Sequence, residues 1–148
     1  MGGRIARNVA LSFPERLHSL TLVATAPGFQ RGGTPLPMER LVGSRARREA
    51  LDELADSFSR VRQECYQKTL AASQAQDHGA PIEAIRAPTL VIAGDEDQMY
   101  PPSIARDLAR RIPGAELVMI EGAGHLPNLE QPERFNQILA DFLKRRFA

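Results

Sequence analysis

The sequence predicts an α/β domain built on a parallel sheet, and three observations carry that prediction. Short apolar runs alternate with amphipathic helical stretches along most of the chain. The 148 residues are 43% hydrophobic, enough for one packed domain. Two of the predicted strands run into loops that hold acids or a histidine, and in parallel α/β sheets ligands and catalytic groups collect at the carboxyl ends of the strands.

The elements follow in order. Ile5, Ala6, Val9, Ala10 and Phe13 recur at helical spacing, which predicts a helix over 4–13 burying that face, stopped by Pro14. Leu20, Leu22 and Val23 mark a buried strand within 17–24. Pro27, Gly28, Gly32, Gly33, Pro35 and Pro37 then punctuate a turn region. Residues 34–81 read as an excursion of two or more helices. Its apolar stripe is Leu51, Leu54, Phe58, Val61 and Cys65, with Cys65 expected in the core. Residues 88–93 form a strand ending in Gly94, and Ser103–Ile112 a helix with Ser103 as its N-cap. Residues 116–120 form the next strand. A last helix, 132–147, carries Phe135, Ile138, Leu139, Phe142 and Leu143 on one side. The basic clusters 45–48 and 144–146 read as solvated helix faces.

Composition excludes several functions. Nineteen Lys+Arg against eighteen Asp+Glu leave a net charge of +1, which gives no footprint for nucleic acid or an anionic membrane. One cysteine excludes an internal disulfide framework and a cysteine-rich zinc site. No apolar run approaches the roughly 20 residues of a membrane span, and no signal-like stretch opens the chain, so the cytoplasm is the expected location. Neither a dinucleotide nor a Walker phosphate loop is present, and no metal or organic cofactor is expected.

Chemistry gathers in the loops after the two later strands. The first, 94–101, holds Asp95, Glu96 and Asp97; the second, 121–127, holds His125. Neighbouring strands would set a carboxylate beside an imidazole, the acid–base half of a Ser-His-Asp arrangement. Each residue alone is ordinary: acids after strands are commonly turn residues or caps, and a histidine in a glycine-rich loop is commonly solvated. Acid before histidine, both at one sheet edge, is the informative combination. By composition all three acids are candidates. No serine of the chain lies in a G-x-S-x-G elbow, and His18 and His78 read as surface residues.

These loops resemble those of the α/β-hydrolases. Gly94, Asp97 and Pro101 match G-x-x-D-x-x-x-P; Gly124, His125, Glu130, Pro132 and Phe135 match G-H-x-x-x-x-E-x-P-x-x-F. The opening Met1-Gly2-Gly3, a helix, and Pro14-Glu15-Arg16 match the stretch that follows the family's nucleophile. The resemblance implies a partial α/β-hydrolase fold, with 1–33 and 82–148 as the C-terminal part of the core and 34–81 as a helical cap insertion. It makes Asp97 and His125 catalytic and Met1 an oxyanion-hole donor. The nucleophile would stand directly before Met1, and the DNA upstream is expected to read in frame as Gly-x-Ser, with Asp or Cys as the lesser alternatives. The chain has no tryptophan, unlike haloalkane dehalogenases, and residues 125–133 resemble 3-oxoadipate enol-lactonases. A small ester or lactone is therefore the implied substrate of the parent enzyme. The other reading is a non-catalytic remnant that self-associates or binds a partner. Under either, the 17–24 strand lacks its preceding neighbour, and its open edge predicts a homo-oligomer.

Overall fold

The computed structural model describes residues 2–27, 37–75 and 81–147. Its elements are α1 (Gly2–Ser12), β1 (Leu20–Val23), α2 (Ala50–Ser59), α3 (Gln63–Ala75), β2 (Thr89–Gly94), α4 (Pro102–Arg111), β3 (Glu116–Ile120), the single turn α5 (Pro127–Glu130) and α6 (Pro132–Phe147). The three strands are parallel in the order β1-β2-β3, so β2, which carries the acid loop, lies beside β3, which carries the histidine loop.

Every residue of β2 is buried, because the sheet is covered on both faces. Val91 and Ala93 point into one apolar cluster with Ala10 of α1, Ala105 and Leu108 of α4, and Ile82 and Ile85. Leu90 and Ile92 point the other way, onto Ile120, Ile138 and Phe142. The period of two along β2 thus assigns α1 and α4 to one layer and α6 to the other. The apolar side expected for α6 is the side it buries, with Phe142 wholly enclosed.

Several expectations are corrected. On α1, Ala10 is buried but Ile5 and Val9 are exposed, as is Phe13 just past its end, while Arg7 is buried at 1% exposure. The Arg7 guanidinium donates to the Pro27 carbonyl, so a charged side chain takes a place that hydropathy reserves for an apolar one. The stripe from Leu51 to Cys65 is not one helix. It breaks at residues 60–62 between α2 and α3; Leu54 is buried, but Phe58, Val61 and Cys65 are exposed. Ser103 is not an N-cap: α4 begins one residue earlier, behind Pro101, with a proline in its first turn. Nor are the basic clusters only solvated. Arg45 and Arg47 precede α2, where Arg45 pairs with Glu121 at 2.8 Å and Arg47 donates to the Leu129 carbonyl. Arg145 and Arg146 both hold Glu116. His18 is exposed as expected, and His78 lies outside the described residues. No helix among the described residues is long and apolar enough to cross a membrane.

Candidate active site

The site is built where β2 and β3 end. Gly94 closes β2, and a Cβ on it would stand 2.1 Å from the Ala123 carbonyl oxygen, so the two loops touch backbone to backbone. Only glycine permits that approach. Asp95 then turns across and accepts the Gly122 N–H at 2.7 Å, fastening the acid loop to the histidine loop.

Of the three candidate acids, Asp97 reaches the imidazole. Its Oδ2 lies 2.9 Å from His125 Nδ1. Its Oδ1 accepts the backbone N–H groups of Met99 and Tyr100, each at 2.8 Å. The carboxyl group is fully enclosed, and these three donors fix its plane. With the carboxylate as acceptor, Nδ1 carries the proton and Nε2 holds the free lone pair. Among the described residues Nε2 has no hydrogen-bond partner, and the imidazole keeps 18% exposure, so a reactant can approach it. The Tyr100 ring lies 5.4 Å from the imidazole, centroid to centroid, and walls one side.

Glu96 points elsewhere. Its two oxygens accept the backbone N–H and the hydroxyl of Ser44, at 2.6 and 2.7 Å. These hydrogen bonds hold its carboxyl below the usual carboxylate range. Met1, the expected oxyanion donor, lies outside the described residues. No group of three or more His, Cys, Asp or Glu among the described residues could hold a metal ion.

Sequence reasoning missed one feature. Residues 41–47, the segment before α2, are laced over both loops. The Leu41 carbonyl accepts the His125 N–H at 2.7 Å, and Arg45 N–H donates to Gly122. Gly124 packs so closely under this segment that a Cβ there would meet the Leu41 oxygen at 2.5 Å. Glu130, buried at 1% exposure, accepts three backbone N–H groups, from Gly43, Gly124 and Leu126. Its place in the histidine motif was the available signal; its partner Gly43, 87 positions away, was not foreseeable.

The sequence model of the alpha/beta hydrolase family matches residues 1–138. A 2-hydroxy-6-oxononadienedioate/2-hydroxy-6-oxononatrienedioate hydrolase of Paraburkholderia phymatum is 31% identical over 171 residues, covering 97% of this chain and 59% of its own. Among solved structures, a thermophilic esterase from Thermogutta terrifontis with malate bound superposes with a TM-score of 0.82 at 26% identity, covering 99% of this chain and 63% of that one. Est816, described as an N-acyl homoserine lactone degrading enzyme, gives 0.81 at 29% identity over 95% of this chain and 64% of that one. The chain spans about 60% of the length of the curated relatives it matches.

Proposed function

The chain belongs to the alpha/beta hydrolase family, and we propose that it carries the acid–base half of a hydrolase for a small carboxylic ester or lactone, with Asp97 and His125 as two members of a Ser-His-Asp triad. The observation that carries this is the 2.9 Å contact between a fully enclosed carboxylate and an imidazole whose second nitrogen remains accessible. The similar proteins act on carbonyl compounds by their descriptions: an oxo-dioate, an ester and an acyl lactone.

In this mechanism His125 Nε2 takes the proton of a serine hydroxyl as that oxygen attacks the substrate carbonyl. Asp97 keeps the imidazole in the Nδ1–H form and stabilises the imidazolium that results. The imidazolium returns the proton to the leaving alkoxide, and the same nitrogen then activates the water that releases the acid. The serine lies outside these 148 residues, whose relatives extend well beyond the matched span. The Met1 backbone N–H, once in peptide linkage, joins the oxyanion hole.

The test compares this chain with a protein that also includes the reading frame upstream of Met1. The longer protein should show Gly-x-Ser before Met1, label with a fluorophosphonate and hydrolyse p-nitrophenyl acetate. Asp97→Asn should cut its kcat by about 10,000-fold. The 148-residue chain should neither label nor exceed its His125→Ala variant. Saturable hydrolysis by the 148-residue chain, abolished by substituting one of its own serines, would overturn the proposal.

A further inference from the structure

We propose that Glu130 is a positioning residue that couples the start of the helical insertion to the posture of His125. The proposal rests on the reading of His125 as the general base. Three consecutive backbone N–H groups around the imidazole are held from outside their own loop or by this one carboxylate. Gly124 donates to Glu130 Oε2 at 2.8 Å, His125 to the Leu41 carbonyl at 2.7 Å, and Leu126 to Glu130 Oε1 at 2.9 Å. The same Oε2 also accepts the Gly43 N–H at 2.7 Å, two residues beyond Leu41.

One carboxylate therefore grips both flanks of His125 and the segment that enters the insertion. Glu130 is itself fixed from that segment, since Arg47 N–H donates to the Glu130 carbonyl at 2.9 Å. A displacement of residues 41–47 cannot leave Gly124 and Leu126 where they are without breaking a buried, charge-assisted hydrogen bond. The imidazole, bracketed by those two residues, moves relative to Asp97 with them. No arginine, lysine or histidine is bonded to the Glu130 side chain among the described residues, so backbone dipoles alone receive this charge.

A glutamine cannot replace it. Its single carbonyl oxygen can serve the Gly43 and Gly124 donors or the Leu126 donor, and its NH2 then faces the remaining N–H. The experiment is NMR on the 148-residue chain, reading the downfield His125 Nδ1–H resonance and amide exchange. In Glu130→Gln, exchange at Gly43, Gly124 and Leu126 should accelerate together, and the His125 resonance should broaden beyond detection. Ile85→Val, which loosens the apolar cluster on the α1 and α4 side of the sheet, a cluster with no residue of either loop, should leave the resonance intact. Should Glu130→Gln fail to fold, Glu130→Asp, which keeps the charge but withdraws it by one methylene, takes its place with the same readings. A His125 resonance as sharp as the parent's in a folded Glu130 variant would overturn the positioning role. If Asp97→Asn leaves the parent resonance unchanged, the acid–imidazole pair itself fails, and that result is distinguishable from the first.

Discussion

Asp95, Glu96 and Asp97 follow one another in the chain, yet each has a different task. Asp95 fastens the acid loop to Gly122, Glu96 receives Ser44 of the segment before α2, and Asp97 alone meets the imidazole. Composition could not separate them, because the assignment depends on how the chain turns after Gly94. That turn depends in its own right on the absence of a side chain at residue 94. Gly94→Ala would drive a methyl group into the Ala123 carbonyl, 2.1 Å away, and backbone cannot yield as a flexible side chain would. We expect a loss of about 1–3 kcal/mol, measured by urea denaturation, together with separation of the two loops. An unchanged midpoint would show that the strand ends can part without cost. The same scale shows what sequence could not foresee: Arg7 is buried because a distant carbonyl satisfies it, and no hydropathy pattern encodes that partner.

Among the elements, those with one clear apolar face were legible and those held by polar contacts were not. The β3 strand and α6 follow from periodicity, since Ile138 and Phe142 sit one turn apart over the sheet. The break between α2 and α3 escaped because the apolar spacing continues through it although Phe58 and Val61 are left about half exposed. The C-terminal end of α6 shows a further polar tether. Glu116, at the start of β3, accepts Arg145 and Arg146 at 2.6 and 2.8 Å. Burial pushes its carboxyl up, but these two hydrogen bonds outweigh it and hold the group below the usual carboxylate value of 4.5. A depressed folded value means that the tether contributes fully above that ordinary value and is lost as pH falls through the lower folded one. Acid titration should therefore fray the last turn of α6 before the sheet opens, read by amide exchange at residues 143–147. Glu116→Gln should show the same fraying already at pH 7, at a cost of about 1 kcal/mol or less. A pH-independent end of α6 would refute the tether.

For the whole molecule, β1 is the exposed consequence of a sheet order that runs β1-β2-β3. Its outer edge is unpaired among the described residues, and Ile5 and Val9 on the helix packed against it, with Phe13 just past its end, are exposed. The 148-residue chain is expected to self-associate through this region. Sedimentation at tens of micromolar should show a dimer or larger species, and Val9→Lys should shift it toward monomer. A clean monomer for the parent chain would dismiss the idea. The order of the strands has an entropic side as well. Between Val23 and Thr89 lie 65 residues, whereas 21 separate Gly94 from Glu116. Joining β1 to β2 therefore closes the longer loop, which costs the chain about 1 kcal/mol more freedom than joining β2 to β3. The four residue pairs of β1 with β2 must repay that larger debt with one fewer pair than β2 and β3 share. By loop closure and by number of pairs, the costlier of the two pairings is thus the one that holds β1 to the sheet.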